Sequence, residues 1–298
     1  MSDQEQLQWE ARFGRPAAVA AFAAGILLLA GTFITLSSYK DRAHISRVAD
    51  SLLSVDENPG TFIASSVLQA LSALCLIGVF YYLFRATSHR LPQFPTWFLY
   101  VILVGPVLYA ISQVAGSIDR AHVAQMFADQ TSHVGKFCPA IRGHAGDECA
   151  NDLLKDELSP VLIGLSLAGL VATAFLFVML PLRARRAGLM SQFMGVLGVI
   201  AGALMVLQLA PLVPQIVQAF WLGAMGALFL GSWPGGRGPA WETAEAEPWP
   251  TAAQRRGLVP AGGPDGGRAP SGNGAAAEPI EPEPVPQRPS SRKRRRKR

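Results

Sequence analysis

The sequence predicts an all-α fold, a polytopic membrane bundle of six transmembrane helices followed by a disordered C-terminal tail. Half of the 298 residues are hydrophobic and 16% are charged, whereas a soluble domain carries about a quarter charged residues. Six apolar runs are long enough to cross a bilayer core of about 30 Å at 1.5 Å per residue. All 26 Lys and Arg and all 21 Asp and Glu lie outside these runs, which indicates lipid around the helices.

The predicted spans divide the chain into three parts. A short polar N-terminus covers residues 1–15, a transmembrane domain covers 16–231, and a tail covers 232–298. The first run is too long for a signal peptide, so we interpret it as a span, with Pro16 in its first turn. The tail has 22 Gly or Pro among 67 residues and few apolar ones, which predicts disorder. The six spans are predicted at about 16–38, 61–84, 94–115, 159–182, 189–209 and 212–231.

The short loops predict the orientation. The loops after the second and fourth spans carry five Lys or Arg and no acidic residue, and basic short loops stay on the cytoplasmic side of a membrane. We therefore predict a multi-pass protein of the cell inner (cytoplasmic) membrane with both termini in the cytoplasm. The long loop at 116–158 is then external.

The external loop contains two of the three cysteines, Cys138 and Cys149. Outside the cytoplasmic membrane, thiols tend to oxidise, so we predict a Cys138–Cys149 disulfide, which would stabilise the fold by about 3 kcal/mol. Free thiols remain an alternative. In a reducing compartment His133, Cys138, His144 and Cys149 would offer a zinc set, but their spacing matches no standard finger. No metal or other cofactor is predicted.

Polar residues share one face of the second span. Ser65, Gln69 and Ser72 follow an i, i+4, i+7 spacing, and such a face either lines a polar path or hydrogen-bonds neighbouring helices. Because no ionisable group accompanies these residues within the span, we favour helix–helix hydrogen bonding over a path.

Small residues predict close packing between the last two spans. Gly195, Gly198 and Gly202 lie on the fifth span, and Gly198 and Gly202 have the GxxxG spacing that lets two backbones approach. Gly223 belongs to a small face on the sixth span. The very short connection between these spans predicts a tight antiparallel hairpin.

The chain ends in seven consecutive basic residues. This run is suited to anionic lipid headgroups, to the phosphates of RNA, or to anchoring the topology. Nucleic acid is disfavoured because no folded reader domain or stacking platform accompanies the run. The residues are Arg292, Lys293, Arg294, Arg295, Arg296, Lys297 and Arg298.

Catalytic motifs are missing from the sequence, which has no HExxH, GxSxG, P-loop or GxGxxG. Intramembrane proteases and proton-coupled transporters need ionisable groups inside the bundle, and the six spans contain none. We therefore predict a non-enzymatic structural or interaction protein, with a protein partner or a second copy of the chain as a possible associate. The alternative is a facilitator for a neutral or small solute.

Residues 185–202 resemble a known pattern. A basic turn and a Gly-Leu pair, Arg185 to Leu189, precede an aromatic residue and Gly-rich steps, Phe193 to Gly202. This segment resembles the fifth-span entry of uncharacterised bacterial six-span integral membrane proteins, common in actinobacteria. The resemblance implies a six-span fold and no known activity. The basic tail is also similar to that of membrane insertases, whose hallmark is a positive residue in a hydrophilic groove; with no charge in any span, that is the lesser alternative.

Overall fold

The computed structural model describes residues 2–38, 47–129, 143–207, 212–234 and 236–249, without the side chains of 38, 143, 144 and 157. The described part is helical, as the sequence predicts. Its helices are α1 (Asp3–Ser38), α2 (Val48–Glu57), α3 (Pro59–Arg90), α4 (Phe98–Ala128), α5 (Gly143–Glu157), α6 (Pro160–Arg186), α7 (Gln192–Leu207), α8 (Val213–Leu230) and α9 (Ala240–Thr243).

Five of these helices are long and apolar enough to cross a membrane, namely α1, α3, α4, α6 and α8. The chain is therefore a multi-pass membrane protein, and the predicted all-α bundle is confirmed. Helix α7 has 16 residues, about 24 Å at 1.5 Å per residue, which is shorter than a bilayer core. The end of the predicted fifth span, residues 208–211, lies outside the described ranges.

The long helices form a closed ring. They pack in the order α1, α3, α4, α6, α7 and α8, and α8 packs against α1. We call the end of the ring where the tail begins the tail end, and the opposite end the cap end. Near the tail end, Phe80, Phe177 and Trp221 fill the ring, with ring centroids 5.1 Å apart for Phe80–Phe177 and 5.2 Å for Phe177–Trp221.

The cap end is built from helices rather than from the loop predicted at 116–158. Helix α4 continues to Ala128, so it extends about three turns beyond Gly116. The buried side chains of Leu52, Phe127 and Leu153 join α2, α4 and α5 in a second apolar cluster, and the Ala49 amide donates to Asp147 Oδ1 at 3.0 Å. Each of these helices has an apolar face, and burying these faces against one another explains why the segment around α5 folds on the bundle.

Most of the predicted polar N-terminus is helical and continuous with the first span, since α1 begins at Asp3. Ser2 and Glu5 form a capping box, in which the Ser2 amide donates to Glu5 Oε2 at 2.8 Å and the Glu5 amide donates to Ser2 Oγ at 3.3 Å. This box satisfies amides at the helix start. Pro16 lies inside the helix rather than in its first turn, a position that neighbouring helices make tolerable in membranes.

The predicted disorder is wrong for the first part of the tail. Residues 236–249 pack on the end of the bundle, and the Trp241 side chain is 5% exposed. Its Nε1 donates to the Leu189 carbonyl at 2.8 Å, while Trp233 and Trp249 pack against the main core. The indole rings supply the apolar area that the Gly- and Pro-rich composition seemed to lack. The predicted disorder of 250–298 falls outside the described residues.

The glycines of α7 lie at close helix contacts, above all with α6, and a Cβ on Gly198 would also lie 2.9 Å from Trp221 Nε1 on α8. A Cβ on Gly198 would meet Pro181 Cγ at 2.6 Å, and one on Gly202 would meet the Ala174 carbonyl at 2.8 Å. A Cβ on Gly195 would lie 3.1 Å from Arg185 Cδ, whereas one on Gly223 would meet nothing within 4 Å. The predicted role of Gly223 in a tight α7–α8 contact is therefore wrong.

Candidate functional site

Arg90, at the last position of α3, is the best-paired charged group of the tail end. Its Nη1 donates to Glu10 Oε1 at 2.5 Å and to the Ala86 carbonyl at 2.8 Å. Its Nη2 donates to Glu10 Oε2 at 3.0 Å and to the Ala240 carbonyl at 2.6 Å, and Nε donates to the same carbonyl at 3.0 Å. The guanidinium has five N–H donors, and each of them has an acceptor.

The surroundings of Arg90 complete what we call the Arg90 cluster, formed by Glu10, Arg90, Ala240 and Trp241. The side chains of Arg90 and Glu10 are 0% and 3% exposed, and Arg90 lies 5.6 Å from the centre of the Trp241 ring. Gln6 Nε2 donates to Glu10 Oε1 at 2.8 Å. Because its donors are already used, the cluster is suited to holding three segments together and not to moving protons.

A polar cleft lies at the other end of the ring, between α1, α3, α4 and α6. Its volume is about 480 Å³, within the range of small-molecule sites. Its polar lining contains hydroxyl and amide side chains and one charge of each sign. These residues are Thr35, Ser66, Gln69, Ser112, Gln113, Ser117, Asp119, Arg120, Ser159 and Ser166.

The charged residues of the polar cleft are incompletely paired. The Asp119 carboxylate accepts from the Ser159 amide at 3.1 Å. Arg120 Nη2 is 3.5 Å from Ser51 Oγ, and the buried Arg120 Nε has no hydrogen-bond partner among the described residues. Asp119 and Arg120 line the same cleft without an ion pair between them in this described segment. The cleft therefore keeps a carboxylate and a guanidinium available for a ligand.

The predicted polar face of the second span divides between two roles. Ser65 Oγ accepts from Thr35 Oγ1 at 2.8 Å, and Ser72 Oγ donates to the Ala24 carbonyl at 2.7 Å; both bonds join α3 to α1, as favoured from the sequence. Gln69 instead lines the polar cleft, where its Oε1 accepts from Gln113 Nε2 at 3.1 Å. The structure therefore places one of the three residues in a cavity.

The predicted Cys138–Cys149 disulfide falls outside the described part of the chain, because Cys138 does. Cys149 is half-buried on α5 against the cap-end cluster, and Cys75 is a free thiol in α3. Among the described residues no group of His, Cys, Asp and Glu could hold a metal ion; His133 and the basic run at 292–298 lie outside them.

None of the four charged residues of the Arg90 cluster and the polar cleft is predicted as a site residue from the sequence, since Glu10 lies in the predicted N-terminus and Arg90, Asp119 and Arg120 lie in predicted loops. Two periodicities carried the missing signal. Glu10 falls on the same helical face as the buried alanines of α1, Ala17, Ala21 and Ala24. Gln113, Ser117 and Arg120 have an i, i+4, i+7 spacing on α4, which continues a polar stripe out of the third span.

No family model, no curated protein and no solved structure matches the chain. The resemblance of residues 185–202 to bacterial six-span membrane proteins therefore stays a prediction.

Proposed function

We propose that the chain is a non-enzymatic interaction protein of the bacterial cytoplasmic membrane, whose basic C-terminal run binds anionic lipid headgroups at the inner surface. The Arg90 cluster carries this proposal. Its five donated hydrogen bonds join the start of α1, the end of α3 and the start of the tail. A tail without a function would not need to be hydrogen-bonded to the bundle. We therefore infer that the bundle holds the start of the tail in a fixed position.

The Arg90 cluster also supports the proposed threading. Glu10 precedes the first crossing and Ala240 follows the last one, and the two are held by the same side chain. Both therefore lie on one side of the membrane, which requires an even number of crossings. Five long helices alone give an odd number, so the contact supports α7, the predicted fifth span, as a further crossing. The basic last turn of α6, with Arg183, Arg185 and Arg186, favours the cytoplasm for that side.

Reporter fusions test this threading. A reporter inserted at Gly146 in α5 and one placed after Gly235 are separated by α6, α7 and α8. Three crossings put them on opposite sides, and we expect Gly146 to report the outer side and Gly235 the cytoplasm. Reporters on the same side would show that α7 does not cross and would overturn the six-span threading.

Neutralising the basic run tests the lipid interaction. Nanodiscs of phosphatidylcholine that contain the full chain are expected to co-float with vesicles that contain phosphatidylglycerol. Replacing the seven basic residues at 292–298 with Gln should weaken this binding at least about 100-fold, because each basic residue near an anionic surface contributes about 1 kcal/mol. The measurement is the fraction of nanodiscs in the floated layer over a range of vesicle concentrations.

The matched control replaces Arg255 and Arg256, which lie in the same tail outside the run, and a small change is expected. Binding should also fall as salt rises, because surface charges are screened. If nanodiscs that contain the full chain bind RNA and do not bind the anionic vesicles, the lipid proposal is contradicted and nucleic acid is the ligand of the basic run. Equal flotation of wild type and the Gln variant would also contradict it.

Solute facilitation and insertase activity are less well supported by the geometry. The large side chains of Phe80, Phe177 and Trp221 are fully buried in the ring on the tail-end side of the polar cleft, so in the described part of the chain they occupy the space between the cleft and the tail end. Arg120 does lie in a hydrophilic groove, as in insertases, but at the cap end. The polar cleft is far from the tail end, because 24 residues of α3, about 36 Å, separate its lining residue Ser66 from Arg90.

We further propose that the Cys138–Cys149 disulfide closes the external cap.

A further inference from the structure

We propose that the polar cleft binds a phosphoethanolamine group, presented by a phospholipid in the leaflet at the cap end of the bundle. This inference goes beyond the proposed function of the tail and does not depend on it, since the cleft and the basic run involve different residues. It starts from the charges that the cleft leaves available.

The guanidinium of Arg120 is suited to binding an anion. Its Nε is buried without a hydrogen-bond partner in the described part of the chain, and its contact to Ser51 Oγ is long at 3.5 Å. A buried donor without an acceptor costs free energy, and a phosphate offers several strong acceptors that pair with guanidinium. A phosphate seated in the cleft would bring such acceptors to the guanidinium, which lines it.

The neighbouring Asp119 selects against a ligand that is only anionic. Its carboxylate accepts one amide hydrogen bond from Ser159, at 3.1 Å, and it lines the cleft next to Arg120 on α4. A like charge within a few ångströms repels an anion, whereas an ammonium group is attracted. A ligand with a phosphate and an ammonium a few bonds apart satisfies both residues, and phosphoethanolamine is such a group.

The other walls of the cleft suit an amphipathic molecule. Hydroxyl and amide groups of α3 and α4, including Gln69 and Gln113, line its floor. Ile163 and Leu167 of α6 line its edge and are 53% and 59% exposed, so an apolar chain can lie beside them. Arg120 follows the predicted third span by five residues, which places the charges at headgroup level rather than in hydrocarbon.

Calorimetric titration of the detergent-solubilised full chain tests the proposal. Three ligands separate its parts: dihexanoyl-phosphatidylethanolamine, dihexanoyl-phosphatidylglycerol, which has the same chains without the ammonium, and O-phosphoethanolamine, which has no chains. We expect the phosphatidylethanolamine to bind at least about 10-fold more tightly than the phosphatidylglycerol, since one hydrogen bond between charged groups changes the affinity by about this factor. Comparable binding of the two lipids to the wild-type chain would overturn the proposal without any variant.

Two substitutions identify the residues. Arg120→Gln is expected to weaken phosphatidylethanolamine binding about 10- to 100-fold, and Asp119→Asn is expected to reduce the preference over phosphatidylglycerol. The control is Arg47→Gln, an exposed arginine at the start of α2, at the same end of the bundle. Unchanged binding in Arg120→Gln would contradict the inference.

The source of the headgroup follows from the third ligand. O-phosphoethanolamine that binds as tightly as the lipid would support the headgroup chemistry and overturn the lipid as its source. Replacing the basic residues at 292–298 with Gln should leave phosphatidylethanolamine binding unchanged, so the cleft and the tail proposals can fail separately.

Discussion

Replacing Arg90 with Met, or Glu10 with Met, is expected to lower the free energy of unfolding by about 3 to 5 kcal/mol, because each change leaves a buried charge without its partner. Arg90→Met also removes both donors from the Ala240 carbonyl, and so it should release the start of the tail. The measurement is unfolding in mixed micelles with increasing dodecyl sulfate, followed by the helical circular dichroism signal and by Trp fluorescence.

The double variant separates the pair from its surroundings. With both residues changed to Met, no unpaired charge remains, so the loss should be clearly smaller than the sum of the two single losses. Asp3→Ala is the matched control, since Asp3 contacts His89 at 2.9 Å between the same two helices but is 64% exposed. An exposed pair contributes at most about 1 kcal/mol. Strictly additive losses from Glu10→Met and Arg90→Met would contradict the coupling.

Five of the six predicted spans correspond to long apolar helices, because lipid imposes a rule on each residue separately. A charge is costly at any position that faces hydrocarbon, so charge exclusion is visible in the sequence without knowledge of partners. The Arg90 cluster is different, since Glu10 and Arg90 are 80 positions apart and Ala240 contributes only a backbone carbonyl. Periodicity places Glu10 on a buried face, but nothing in the sequence names the residue across from it.

The start of the tail shows where composition misleads. Gly and Pro content predicts disorder by averaging over 67 residues, whereas folding at 236–249 rests on single side chains such as Trp241, which buries its ring and hydrogen-bonds Leu189. The polar cleft is similar. Its residues come from four helices, and the sequence shows only a stripe on α4 and another on α3. That the two stripes face each other depends on the order of helices in the ring.

Two glycines on α6 give the sharpest test of that ring, because the sequence does not distinguish them. A Cβ on Gly169 would lie 2.5 Å from the Tyr109 amide nitrogen and 2.8 Å from Tyr109 Cα on α4, whereas a Cβ on Gly164 would meet nothing within 4 Å. The atoms that a Cβ on Gly169 would meet belong to the backbone of α4, so they cannot move away by a change of side-chain rotamer. Gly169→Ala is therefore expected to destabilise the bundle by about 1 to 3 kcal/mol.

Gly164→Ala adds the same methyl group to the same helix and provides the control. Alanine favours the helical backbone over glycine by about 0.5 to 1 kcal/mol, so this variant should be as stable as the wild type or slightly more stable in the same micelle titration. The two substitutions should therefore shift the transition in opposite directions. Equal shifts would show that α4 and α6 do not approach at Gly169, and the wall of the polar cleft that these helices share would have to be placed differently.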